Sequence, residues 1–156
     1  MPITLKLALR DLTLIVAAIL LWQYSHQLDA AGSAWRIPLA ILAGLMIPVG
    51  GFLAHEWGHL VGAWVSRSTV HMPKSVLTIF LFDYKPAENS REQFLSVSYG
   101  GFIASGLVVV LLLMVLSFDR LADQIALGLT LLGVIATLVL EIPPVWRVYR
   151  GGPLSP

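Results

Sequence analysis

Residues 37–65 read IPLAILAGLMIPVGGFLAHEWGHLVGAWV, and Glu56 is the one acidic or basic side chain among them, histidines aside. A helix that crosses the hydrocarbon core of a bilayer needs about 20 mostly apolar residues, so this stretch is long enough. The whole chain has the same character, because 57% of its 156 residues are hydrophobic and 12% are charged, whereas a soluble domain is roughly a quarter charged. The sequence therefore predicts a single membrane-embedded domain over residues 1–156.

Three other stretches are apolar enough to cross a bilayer, at residues 12–28, 94–118 and 121–146. The predicted fold class is therefore membrane all-α, with about four transmembrane helices and a small β-hairpin or strand in the central loop. The first stretch is the weakest, because its apolar run fails at Gln23. A secretory signal peptide is the alternative there, since basic residues precede the run and small residues follow it.

Lysine and arginine are distributed unevenly around these predicted helices. Cytoplasmic segments of membrane proteins carry the excess of such residues. Arg36 and Arg120 fall on one side, whereas the other side has Lys6, Arg10, Arg67, Lys74, Lys85, Arg91, Arg147 and Arg150. We therefore expect a multi-pass protein of a cell (inner) membrane, in contact with the lipid bilayer, with both termini and residues 66–93 in the cytoplasm.

Net charge argues against nucleic-acid binding, and cysteine content excludes sulfur chemistry. The formal net charge is +1 and the basic residues are scattered, so no nucleic acid is expected to bind. The chain has no cysteine, so disulfides and thiolate metal ligands are both excluded. Any metal ion must be held by histidine and carboxylate side chains.

The stretch from residue 37 to residue 65 is longer than a straight crossing requires, because a helix rises about 1.5 Å per residue and the hydrocarbon core is about 30 Å thick. Pro48 removes a backbone donor, and Gly50 and Gly51 are conformationally loose. We expect a kink here, which leaves residues 52–65 as a shorter helix.

The central loop, residues 66–93, contains the apolar run VLTIFLF at residues 76–82. The run is too short to span a bilayer and rich in β-forming residues, so it is predicted to be a strand. An interfacial segment that rests against the bilayer is the alternative. A strand offers its edge to an extended peptide by β-addition, which makes Val76, Thr78 and Phe80 candidate substrate-binding residues.

Residues 55–59 read HEWGH. On a helix, residues four apart share one face, so the imidazoles of His55 and His59 can converge on one cation. Glu56 lies beside that point, where it can take a proton from a metal-bound water whose pKa zinc lowers to about 7. Ionisable groups inside an apolar helix usually mark a functional site. A buried hydrogen-bond network of the same side chains, without metal, is the alternative.

This motif resembles that of the site-2 proteases, intramembrane zinc metalloproteases that carry His-Glu-x-Gly-His within a membrane helix. The order of parts over residues 37–150 is also similar: the motif helix, a β-rich loop, a glycine-rich helix and a helix that supplies a third ligand. The chain departs from the family at Phe102 and Ser105, where the family often has Pro and Asn, and it lacks the family's Asp-Gly ligand motif. The resemblance implies a zinc cofactor and a membrane-protein substrate.

A catalytic zinc needs three protein ligands and one open position. His59 precedes Trp64 by five residues, and Glu141 precedes Trp146 by five. If both tryptophans mark the same interface, the histidine and the carboxylate lie at the same depth. Glu141 is therefore the candidate third ligand. His71 in the central loop is the alternative, and a Glu141 carboxylate that reaches the headgroups would not be a ligand at all.

The third predicted helix places small residues on one face, at Gly100, Gly101, Ala104 and Ser105. Such a pattern normally indicates tight helix packing. Ser105 and Tyr99 are also candidate donors of a hydrogen bond to a developing oxyanion.

These patterns predict an intramembrane zinc-dependent endopeptidase that cleaves peptide bonds in or near the transmembrane segments of membrane proteins. Metal-activated water attacks the peptide carbonyl, and Glu56 is the catalytic base. A metal-binding membrane transporter or sensor is the alternative from another class, because the same side chains can coordinate a passing ion. A catalytically inactive, protease-like adaptor is the third possibility.

Overall fold

Four long helices make up most of the chain in the computed structural model, which describes residues 1–154. The last two residues of the predicted domain, 155–156, lie outside the described residues. Between the second and third helices the chain forms two short strands and a turn of 3-10 helix at Pro86–Glu88. In chain order the helices and strands are α1 (Ile3–Ala30), α2 (Arg36–Val65), β1 (Val70–His71), β2 (Asp83–Tyr84), α3 (Arg91–Val115) and α4 (Leu121–Tyr149).

Three of the described helices, α2, α3 and α4, are long and apolar enough to cross a membrane. Few of their residues are buried inside the protein, so their apolar surfaces mostly face outward, as expected of helices in lipid. The first helix is not among them. It carries Arg10 and Asp11 in its first half and Gln23 and His26 in its second half.

Helix α2 is the centre of the bundle and packs against each of the other three helices, most extensively against α3. Small residues allow the close approach. A Cβ atom added at Gly44 would lie 2.6 Å from the Cβ of Ile125 on α4, and one added at Gly58 would lie 2.6 Å from the Cβ of Ala104 on α3. The prediction that the small residues of α3 serve tight packing is therefore confirmed.

Helices α1 and α2 differ from the predicted helices. Helix α1 begins at Ile3 rather than near residue 12, because Asp11 is buried and satisfied: its carboxylate accepts hydrogen bonds from Arg10 Nε at 2.6 Å and from Trp57 Nε1 at 2.9 Å. Helix α2 runs without interruption from Arg36 to Val65, with Pro48 inside it. The shorter helix expected over 52–65 is thus the second half of one continuous helix.

Helix α3 begins at Arg91, three residues before the predicted start, because a capping box fixes its first turn. The hydroxyl of Ser90 accepts a hydrogen bond from the backbone N–H of Gln93 at 3.3 Å, and the Gln93 side chain accepts one from the Ser90 N–H at 2.7 Å. These contacts satisfy two donors that a helix start leaves without partners.

The small sheet predicted for the central loop is present, but its predicted position at 76–82 was wrong. Strands β1 and β2 pair antiparallel, Val70 with Tyr84 and His71 with Asp83. Residues 76–82 form the irregular connection between them. Backbone groups of this segment form hydrogen bonds with side chains rather than with a neighbouring strand. Arg10 donates to the carbonyls of Val76 and Thr78, and Leu81 donates its N–H to Glu56.

Candidate metal centre

His55 and His59 lie one turn apart on the same face of α2 and face each other. Their ring centroids are 4.3 Å apart, and the two Nε2 atoms are 2.9 Å apart. Both side chains are largely buried, with 7% and 15% of their surface exposed. The helical spacing therefore produces the predicted convergence of the two imidazoles.

Helix α3 fixes which nitrogen of each ring carries the proton. His59 Nδ1 lies 2.8 Å from the carbonyl oxygen of Val97, and His55 Nδ1 lies 3.1 Å from the carbonyl oxygen of Gly101. A carbonyl can only accept, so each Nδ1 donates, and in a neutral ring each Nε2 is then left with a free lone pair. The hydroxyl of Ser105, 2.9 Å from His55 Nδ1, is a further partner of the same nitrogen. This arrangement is typical of metal-binding histidines.

Glu141 on α4 reaches the same point. One carboxylate oxygen lies 3.1 Å from His55 Nε2 and the other lies 3.6 Å from His59 Nε2. One ligand atom from each of the three residues lies within 4.8 Å of the other two. The proximity predicted from the matched spacing to the two tryptophans is confirmed. We call His55, His59 and Glu141 the motif cluster.

The motif cluster has the chemistry of a cation site. Two bare imidazole nitrogens and a carboxylate face one another, and such a concentration of lone pairs is unfavourable in a partly buried place unless a positive charge lies between them. A tetrahedral zinc ion with bonds of about 2.0 to 2.1 Å separates its ligand atoms by roughly 3.3 Å. The two Nε2 atoms are 2.9 Å apart, and Glu141 places one carboxylate oxygen 3.1 Å from His55 Nε2 and the other 3.6 Å from His59 Nε2. These residues could therefore hold a metal ion.

Glycine at position 101 leaves room for the His59 ring. A Cβ atom added there would lie 2.6 Å from Nε2 and 2.7 Å from Nδ1 of that ring, closer than atoms can approach without displacement. The backbone of α3 is thus close enough for its carbonyls to bond both histidines. Larger residues on this face of α3 would push the hydrogen-bond acceptors away from the motif cluster.

Glu56 lies beside the motif cluster without being part of it. The residue is buried, with 8% of its surface exposed, and one carboxylate oxygen accepts a hydrogen bond from the Leu81 N–H at 3.4 Å. Leu81 is itself fully buried against Leu7 and Leu60. The contact holds residues 76–82 next to Glu56.

A groove of about 380 Å³ opens beside Glu56, His59 and Glu141. Its other walls come from β2 and the residue before it, from α3 and from α4, and they are mostly apolar. The residues of these walls are Phe82, Tyr84, Phe94, Val97, Ser98, Pro144, Val145 and Val148. Among residues 1–154, no lysine or arginine lines the groove, so it suits an uncharged, apolar ligand segment.

Trp57, the variable residue of the motif, is held by a network that the sequence did not reveal. Its indole N–H donates to Asp11, which also accepts from Arg10, and Arg10 in turn donates to the Val76 carbonyl and, at 2.7 Å, to the Thr78 carbonyl. Through these hydrogen bonds, α1 connects residues 76–82 to α2. The residue that could have indicated this network in the sequence is Asp11, an acidic residue next to a long apolar run.

The remaining candidates do not line the groove beside the motif cluster. His71 pairs with Glu88 in the central loop, Nε2 to carboxylate oxygen 2.6 Å. Tyr99 is 43% exposed and lines a separate groove between α2 and α3. Phe80 is 61% exposed, and the carbonyls of Val76 and Thr78 are bonded to Arg10.

A second cluster of polar side chains lies where α1 meets the connection between α3 and α4. Asp123, 1% exposed, accepts hydrogen bonds from three groups: Trp22 Nε1 at 2.6 Å, the Ser117 N–H at 2.8 Å and His26 Nε2 at 2.9 Å. The other nitrogen of the His26 ring, Nδ1, lies 2.7 Å from Arg120 Nη1. We call these residues the turn cluster; its members are Trp22, His26, Ser117, Arg120 and Asp123.

Comparison of the chain with protein-family models, with curated proteins and with solved structures finds no match. Any indication of function therefore comes from the geometry of the motif cluster and of the groove beside it.

Proposed function

We propose that this protein is an intramembrane zinc-dependent endopeptidase of the site-2 protease type. The observation that carries the proposal is the convergence of His55, His59 and Glu141, with Glu56 next to them and an apolar groove alongside. Two imidazoles and one carboxylate form a common ligand set of catalytic zinc, and the set leaves a coordination position open.

The residues divide the chemistry between them. His55, His59 and Glu141 would hold the ion, which, when bound, lowers the pKa of water to about 7 and polarises a carbonyl. Glu56 takes a proton from the attacking water while the water oxygen bonds to the carbonyl carbon of the substrate. Glu56 then returns that proton to the amide nitrogen, and the carbon–nitrogen bond breaks. Val97 and Gly101 orient the histidines through their carbonyl oxygens.

The substrate we propose is a membrane protein, cut in or near a transmembrane segment. The groove walls are apolar and the groove is about 380 Å³ in volume, which suits a few residues of an unwound apolar segment better than a folded helix. Three helices long and apolar enough to cross a membrane support this location. The distribution of lysine and arginine supports a cell (inner) membrane with cytoplasmic termini.

Glu56→Gln tests the proposal. Purified protein with bound zinc is mixed with a panel of single-span membrane-protein substrates in detergent or liposomes, and cleavage is followed by mass spectrometry. The variant should retain zinc, because Glu56 is not a ligand, and should lose cleavage by at least about 100-fold, as expected for a lost general base. Glu92→Gln is a matched control on an exposed carboxylate and should be unchanged.

Three outcomes would contradict the proposal. Full cleavage by Glu56→Gln would remove the assigned base. Zinc flux into liposomes that depends on His55 and Glu141 but not on Glu56 would favour the transporter. A wild-type protein that holds zinc and binds partner proteins, yet cuts none of them, would favour the inactive adaptor.

A further inference from the structure

Tyr84 is a groove residue that the proposed proton transfers do not use. It lies on β2, paired with Val70, and its ring lies 6.2 Å from that of Phe94 on α3, measured between centroids. It lines the same groove as Glu56 and His59. Strand and helix contacts together fix the ring on the groove wall.

The hydroxyl of Tyr84 is buried and has no hydrogen-bond partner within residues 1–154. A buried polar group without a partner destabilises the folded state, so such a group in a wall next to a reactive cluster points to a ligand that supplies the partner. Burial also raises the pKa of Tyr84 to about 12. The hydroxyl therefore keeps its proton at neutral pH and is a hydrogen-bond donor.

We propose that the Tyr84 hydroxyl donates a hydrogen bond to the carbonyl oxygen of the scissile peptide bond. This inference rests on the proposed function. As the water oxygen bonds to the carbonyl carbon, the π electrons of the carbonyl move onto its oxygen. Tyr84 stabilises that developing negative charge and keeps its own proton, while Glu56 holds the proton taken from water.

Other hydroxyl groups are less suitable for this role. Ser105 already lies 2.9 Å from His55 Nδ1, which engages it in orienting a proposed ligand. Tyr99 lines a different groove. Thr130 also has a buried hydroxyl that meets no partner in the described part of the chain, but it lines a separate cavity of about 90 Å³ next to His55, with neither Glu56 nor Glu141 in its wall.

Tyr84→Phe removes the oxygen and keeps the ring, and Tyr99→Phe is the matched control. With the zinc-loaded full chain, Tyr84→Phe should lower kcat by about 10- to 100-fold, somewhat less than loss of a sole oxyanion donor, with KM and zinc content unchanged. Its melting temperature should not fall, because no intramolecular hydrogen bond is lost. Tyr99→Phe should leave all four quantities unchanged. An unchanged kcat, or a lower melting temperature with a proportional loss of zinc, would overturn the proposal.

Binding of a phosphinic peptide separates failure of this inference from failure of the proposed function. The phosphinate phosphorus imitates the tetrahedral carbon, its two oxygens imitate the oxyanion and the oxygen from water, and binding needs no cleavage. Tyr84→Phe should weaken binding of this probe about 10-fold or more. If the wild type binds the probe in a Tyr84-dependent way but cuts no substrate, the proteolytic function fails and the donor role of Tyr84 stands. Equal binding by wild type and Tyr84→Phe overturns the donor role, whatever the protein cleaves.

Discussion

A buried histidine meets a carboxylate in both the motif cluster and the turn cluster, but the two clusters have opposite hydrogen-bond polarity. In the turn cluster, Arg120 lies 2.7 Å from Nδ1 of His26. A guanidinium can only donate, so Nδ1 accepts, and Nε2 carries the proton that it gives to Asp123. Both ring nitrogens of His26 are therefore paired within the turn cluster.

In the motif cluster the rings are turned the other way. Backbone carbonyls of Val97 and Gly101 face the Nδ1 atoms, so the protons point outward and the Nε2 lone pairs point inward toward Glu141. The group that faces Nδ1 therefore distinguishes a structural histidine from a candidate metal ligand. Residue type and burial alone would not separate them, because His26 and His59 both have 15% of their side-chain surface exposed.

The largest expected effect is on metal binding in the motif cluster. His59→Ala or Glu141→Ala removes one of three ligand groups and should weaken zinc binding at least about 100-fold, since even outer hydrogen-bond partners contribute 10- to 100-fold. The measurement is a competition titration with a fluorescent zinc chelator. His26→Ala is the matched control in the turn cluster and should bind zinc as the wild type does. Loss of zinc in His71→Ala, with full binding in Glu141→Ala, would instead place the third ligand in the central loop.

The turn cluster should respond in stability rather than in metal binding. Asp123→Ala leaves the donors of Trp22, Ser117 and His26 without their acceptor, which should lower the free energy of unfolding by about 3 kcal/mol. Denaturant titration in mild detergent measures this, and zinc per folded chain should not change. Asp119→Ala, on an exposed carboxylate of the same connection, should have little effect. Equal losses in the two variants would mean that Asp123 is not the centre of the turn cluster.

A smaller effect is expected where the backbone of α3 approaches His59. Gly101→Ala places a Cβ atom against the imidazole and should weaken zinc binding about 10-fold, the lower end of the effect of a lost orienting contact. Gly106→Ala lies on the same helix, where an added Cβ meets nothing within 4 Å, and should leave zinc binding intact. If both variants bind zinc equally well, the histidine orientation does not depend on close packing of α3.

Much of the motif cluster could be predicted from sequence because its geometry is local or periodic. A four-residue spacing on one helix brings His55 and His59 together, and equal spacing to Trp64 and Trp146 predicted Glu141, which lies close to both histidines. Long apolar runs predicted about four membrane-crossing helices, and three of the described helices, α2, α3 and α4, are long and apolar enough to cross a membrane.

The contacts of residues 76–82 could not be predicted, because their partners are distant in sequence. A β-forming composition favours a strand, but Arg10 and Glu56 take up backbone groups of this segment, and the burial of Leu81 against Leu7 and Leu60 determines its path. The unpartnered hydroxyl of Tyr84 arises from the same tertiary arrangement, and no local pattern in the sequence indicates it.

Zinc content together with X-ray absorption at the zinc edge of the purified wild-type protein tests the central claim most directly. We predict one zinc ion per chain, bound only by nitrogen and oxygen, with the multiple-scattering signal of two imidazoles and with first-shell bonds of about 2.0 to 2.1 Å. A protein that retains no zinc after equilibration and removal of free metal, or a zinc ion with one imidazole or none, would contradict it.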